Sequence, residues 1–113
     1  MARVEMRRHV AADPASVALL LAEPTSWSDP HHGWVVAPPR RIGESFAVSI
    51  DVLEPSGRLA TGALIVKPAA DVGCDLRLVI SARSASTVRT VEPSAVTFLE
   101  LLADRAQARS FAA

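Results

Sequence analysis

The chain has 113 residues, half of them hydrophobic and 21% charged, enough apolar side chains for one packed domain and too many for a disordered chain. Lysine plus arginine equals aspartate plus glutamate at 12 each, and this zero net charge argues against a nucleic-acid binder, which would carry a basic excess or stripe. A single cysteine, Cys74, excludes an internal disulfide, and aromatic residues are only 4% of the chain, so the core has to be built from Val, Leu, Ile and Ala.

In chain order, Arg3 to Val10 alternates with period two. Val4, Met6, Arg8 and Val10 share one face, and Arg3, Glu5, Arg7 and His9 share the other. This is a strand with one cationic residue, Arg8, on its apolar side. Asp13 then caps and Pro14 opens a short helix whose apolar stripe is Val17, Leu20 and Leu21, with Pro24 limiting its length. Pro24 to Pro39 is the least regular segment and holds both tryptophans, Trp27 and Trp34, and the pair His31-His32. A helical turn is expected around Thr25 to Asp29, and a short strand over Trp34 to Ala37.

Phe46, Val48, Ile50 and Val52 alternate with polar or small residues and predict a strand from Glu44. Pro55-Ser56-Gly57 supplies turn chemistry, so the chain folds back as a hairpin into Leu59 to Lys67. After a connection over Pro68 to Gly73, Cys74, Leu76, Leu78 and Ile80 mark the next strand. Ala82 to Ser86 reads as a turn and Thr87 to Val91 as a last, β-branched strand. Pro93 to Ala108 is an amphipathic helix with Ala95, Phe98, Leu99, Leu102 and Ala106 at helical spacing, and Pro93 at its first turn. The sum is an α+β fold: a curved antiparallel sheet of about six strands wrapped on a long C-terminal helix, with a short helix after the first strand. The whole chain, 1–113, forms a single domain.

No catalytic constellation is visible. His9, His31, His32 and Cys74, with Asp29 nearby, lack the paired short spacing of zinc ligands, and adjacent histidines point apart in a strand. No metal or cofactor is therefore expected. The five glycines form neither a nucleophile elbow nor a phosphate loop. Cys74 opens an apolar strand and reads as a small core residue. Arg8 requires either an acidic partner within the fold, an exit to solvent, or an anionic ligand. Trp27 and Trp34 either cover the end of the core or line the mouth of a pocket. The longest apolar run, Val17 to Ala22, is too short to span a bilayer, and no signal-peptide core follows the N-terminal arginines, so a cytoplasmic protein without membrane insertion is expected.

Three stretches resemble the helix-grip superfamily of START-type lipid-binding domains, Bet v 1-like proteins and bacterial polyketide cyclases/dehydratases. Asp13-Pro14-Ala15-Ser16-Val17 with Leu20, Pro24 and Trp27 is similar to its first helix. Ile42-Gly43-Glu44-Ser45-Phe46 is similar to its hydrophobic-Gly-x-x-aromatic lead into a central strand, and the Ala95, Phe98, Leu99, Leu102 helix lies where its closing helix lies. Members are usually longer, with seven strands and two short helices before the sheet, so this chain resembles a short member. The resemblance implies a cavity between sheet and helix for a small hydrophobic or amphipathic molecule. Met6, Phe46, Val48, Ile50, Leu76, Leu78, Phe98 and Leu102 would line it, and Arg8, Trp27 and Trp34 would add polarity and a lid. If the protein is an enzyme, the resemblance implies cyclisation or dehydration of a polyketide-like substrate, although no residue is marked as catalytic. Alanines such as Ala60, Ala63, Ala103 and Ala106 permit close packing and support a second reading: a structural or interaction domain without a functional cavity, acting as a homodimer or partner-binding subunit.

Overall fold

The computed structural model describes residues 1–23, 27 and 32–112, with side chains as far as Arg109. The helical turn expected around Thr25 to Asp29 and the position of His31 lie outside the described residues. Strand β1 (Ala2–Val10) leads to helix α1 (Pro14–Ala22), followed by β2 (Gly33–Val36), β3 (Arg40–Ile42), β4 (Ser45–Glu54), β5 (Gly57–Pro68), β6 (Cys74–Ala82) and helix α2 (Ala85–Ala112). All strand pairs are antiparallel, in the order β1-β6-β5-β4-β2, and β3 also pairs β4. The sheet curves around α2, the α+β architecture expected from the alternating patterns.

Local chemistry explains the boundaries. The backbone N–H of Ser16 donates to the Asp13 carboxylate at 2.6 Å, and Pro14 occupies the first turn of α1. Glu23 ends the helix in an extended conformation, the one that a following proline favours. The β4–β5 hairpin turns through Pro55-Ser56, with Gly57 at φ 134° and a bulge beside Val52/Leu53. Gly73 has φ 104°, and a Cβ there would lie 2.2 Å from the carbonyl oxygen of Val10, so only glycine lets β6 begin so close to the end of β1.

Two expectations fail, and they compensate in the strand count. Thr87–Val91 is not a strand: it is part of α2, which starts eight residues before Pro93. Its β-branched residues satisfy a helical burial pattern instead, since Val88, Val91, Ala95, Phe98, Leu102 and Ala106 are all buried. The Ser84 hydroxyl accepts from the Thr87 N–H at 3.2 Å and caps this start. Pro93 is exposed, as is Arg89, whose carbonyl loses its intrahelical partner to the proline. The sixth strand is β3, where Arg40 and Arg41 pair with Ala47 and Phe46. Its three residues are too few, and too polar, to produce a period-two signal.

The core lies between the inner sheet face and the two helices. Val10, Leu64, Val66, Leu78, Ile80, Val91 and Leu102 have no exposed surface. Among the described residues Ser94 is the buried polar side chain, and no helix is long and apolar enough to cross a membrane.

Candidate ligand site

Register places the sequence-derived candidates on one face of the sheet. Arg8, Leu76, Val66 and Phe46 follow one another across β1, β6, β5 and β4, and the next row is Met6, Leu78, Leu64 and Val48. Ile50 extends this face along β4, and Trp34 on β2 stands opposite Val52. Phe98 and Leu102 face it from α2. Met6, Arg8 and Phe46 are half-buried, while Val48, Ile50, Leu76, Leu78, Phe98 and Leu102 are 0–2% exposed. No water-sized space touches Leu78 or Leu102, because neither has any accessible surface.

Aromatic rings occupy the place where a cavity was expected. Phe98 stacks on Trp34 with centroids 4.8 Å apart and planes 6° apart. Trp27 meets the same ring edge-on, at 5.4 Å and 75°. Trp34 is fixed further by its Nε1–H, which donates to the Ser94 hydroxyl at 2.8 Å inside the core. Three of the chain's five aromatic residues therefore form one wedge between α2 and the sheet.

The wedge carries polar groups as well. The Arg105 guanidinium lies 4.8 Å from the centroid of the Trp27 ring, a cation–π contact. Trp27 is 4% exposed, yet among the described residues its Nε1–H has no hydrogen-bond acceptor, and neither does the buried Nη1 of Arg105. Each unsatisfied buried donor costs about 1–3 kcal/mol, so two on neighbouring side chains are unusual. Beside them a surface groove of about 270 Å³ runs between α1 and α2, lined by Leu20, Glu23, Arg105, Ala108 and Arg109. Arg109 donates to Glu23 at 2.6 Å and ties the two helices together. That contact holds the Glu23 carboxyl below its usual range.

Arg8 has the acidic partner that its position requires. Its Nη2 lies 3.3 Å from Glu100 on α2, although its Nε is buried without an acceptor among the described residues. Cys74 is fully buried, and desolvation, followed by the nearby Asp75 and Asp13, pushes its thiol up to about 11, so it remains a thiol at neutral pH. His9 faces the other way and pairs with Asp75 at 3.1 Å on the outer face. Among the described residues no three His, Cys, Asp or Glu side chains gather as a metal site would need.

Ser94 is not marked by the sequence pattern, and Glu100 and Arg105 read there as charged residues off the apolar stripe of the closing helix rather than as site residues. Two of them nonetheless had a periodic signal: Ser94 lies four residues before Phe98 and Arg105 seven after it, so all three share a helix face. Glu100 as the partner of Arg8 depends on a contact 92 residues away in sequence and left no local trace.

The architecture defines an α+β protein with a curved antiparallel sheet closed by a long C-terminal helix. No protein-family model and no curated protein matches the chain. Protein CV1439 of Chromobacterium violaceum has a similar solved structure, with a TM-score of 0.65 over 95% of this chain and 99% of that one, at 13% identity. Protein Ms6760 of Mycobacterium smegmatis is similar at a TM-score of 0.62, over 97% and 91% of the two chains and at 14% identity. At such identities the likeness is one of fold alone, shared over nearly the full length of both proteins.

Proposed function

We propose that the protein binds a small hydrophobic or amphipathic molecule between the sheet and α2, as a short relative of the helix-grip domains that its sequence resembles. The observation that carries this reading is the pair of buried, unsatisfied donors at the aromatic wedge, Trp27 Nε1 and Arg105 Nη1. A ligand carboxylate, carbonyl or enolate accepting from Arg105 Nη1 would remove its desolvation cost, while its apolar body takes the place of the Trp27 ring against Phe98 and Trp34 and frees the Trp27 Nε1–H to reach water. An enolate is the charge that develops in polyketide-type cyclisation or dehydration, so the same donor suits that chemistry if the protein is an enzyme.

Titration with medium-chain fatty acids and aromatic carboxylates, followed by tryptophan emission and thermal shift, tests the reading. Binding that quenches Trp27 and weakens at least tenfold in Arg105→Gln, with the fold intact by circular dichroism, supports it. A flat response across the panel, together with no co-purifying small molecule by mass spectrometry, refutes it. The second reading, an interaction domain without a functional cavity, is favoured by the complete burial of Leu78 and Leu102.

A further inference from the structure

The two edges of the sheet are built differently. One edge is formed by β2 and β3, only four and three residues long, separated by Ala37-Pro38-Pro39. Short strands and prolines, which lack the N–H a ladder needs, blunt an edge against further pairing. The other edge is β1, nine residues in unbroken register with β6 from Ala2↔Ala82 to Val10↔Cys74, with no proline, glycine or bulge. In an antiparallel ladder alternate residues turn their N–H and C=O groups away from the partner, so β1 presents a row of backbone groups unpaired among the described residues. Beside that row Ala2, Val4 and Met6 are only partly covered where they pack on the core. The inward-pointing charge that would spoil such an edge, Arg8, is already paired with Glu100.

The outer face of β1 reads Arg3, Glu5, Arg7, His9, and this order selects a partner. When two copies of one strand pair antiparallel about a two-fold axis, residues i and j face each other with a constant sum. The sum must be even to keep the inner faces on one side. An axis at Glu5 opposes Glu5 to Glu5, and an axis at Arg7 opposes Arg7 to Arg7; both juxtapose like charges. An axis at Val4 opposes Arg3 to Glu5 but pairs only the residues from Ala2 to Met6. An axis at Met6 pairs all of Ala2–Val10 and opposes Glu5 to the partner's Arg7 twice, once on each side of the axis. Within one chain Glu5 is the single carboxylate serving two guanidiniums, at 2.9 Å to Arg77 Nε and 3.1 Å to Arg7 Nε. The second copy brings another carboxylate to Arg7.

We infer that the free β1 edge is the interface for a second copy of this chain, paired antiparallel about Met6 so that the two six-stranded sheets become one continuous sheet. The inference is independent of any ligand at the aromatic wedge. The experiment has two parts. Sedimentation velocity of the unaltered protein should show a dimer in exchange with monomer. Separately prepared Glu5→Cys and Arg7→Cys proteins, checked for native circular dichroism, are then mixed in equal amounts under mild oxidation. Directly opposed residues in an antiparallel pair have Cα atoms about 4.5–5.5 Å apart, within disulfide range. The expected product is the mixed disulfide, at least fivefold over either symmetric one; Cys74, fully buried, does not compete. A protein that is monomeric at every concentration overturns the inference. So do symmetric disulfides of either variant that equal or exceed the mixed one.

Discussion

Replacing Phe98 with alanine tests whether the aromatic wedge is a structural plug. The ring is 2% exposed and lies between Trp34 at 4.8 Å and Trp27 at 5.4 Å, so its removal cannot be filled by solvent-side rearrangement alone. Burial of this kind gives a loss of about 3–5 kcal/mol for Phe→Ala. A domain of this length has a stability of roughly 6–17 kcal/mol, so the variant stays folded under mild conditions. An unfolding entropy of about 2.1 cal/mol/K per residue converts the loss into a fall in Tm of roughly 12–20 °C. Calorimetry and urea unfolding measure it directly. The space left behind is apolar and walled by two indoles, so toluene or indole should raise the Tm of the variant and leave the unaltered protein unmoved. A loss below about 1.5 kcal/mol, or an equal response of both proteins to the small aromatic, would show that the ring does not fill the space it occupies in the structure.

Two further predictions concern the framework. Gly73→Ala should cost at least about 2 kcal/mol, since it combines φ 104° with a Cβ 2.2 Å from the Val10 carbonyl oxygen; Gly43→Ala, at φ 63° with nothing within 4 Å, should cost about 1 kcal/mol, and equal losses would refute the close-approach argument. Asp13→Ala should remove about 1 kcal/mol of capping at neutral pH. The Ser16 hydroxyl and backbone N–H hold the Asp13 carboxyl below its usual range, so its contribution is complete above the ordinary carboxylate pKa and is lost as pH falls through the lower folded value. The difference between variant and unaltered protein, followed by urea unfolding, should therefore shrink as pH falls below the ordinary carboxylate value of about 3.9. A gap that does not shrink with falling pH would remove the cap from the explanation.

The parts of the fold that were legible in the sequence are those in which one residue pattern had one physical cause. Val4, Met6, Arg8 and Val10 alternate because β1 has one face on the core, and Asp13-Pro14 starts α1 because both residues serve a first turn. Legibility failed where two causes competed. Thr87, Val88, Thr90 and Val91 carry strand propensity, but Val88 and Val91 also stand at helical spacing to Ala95, and burial against the sheet decided for the helix. Pro93 looked like a start because a proline inside a helix is costly. Its exposed position lowers that cost, since water can reach the freed carbonyl.

The candidate site was legible as a face and illegible as a volume. Alternation along the strands and helical spacing along α2 were sufficient to name residues that share one side of the sheet. Whether space remains among them depends on where Trp27 and Trp34 send their rings, and that is decided by contacts across 60 to 71 residues, such as Trp34 Nε1 to Ser94 and Trp27 to Phe98. In a chain with five aromatic residues, two tryptophans and a phenylalanine in one cluster are a large share of the available ring volume. Among the described residues Trp27 Nε1 and Arg105 Nη1 are buried without acceptors, which offsets part of what the ring's packing contributes.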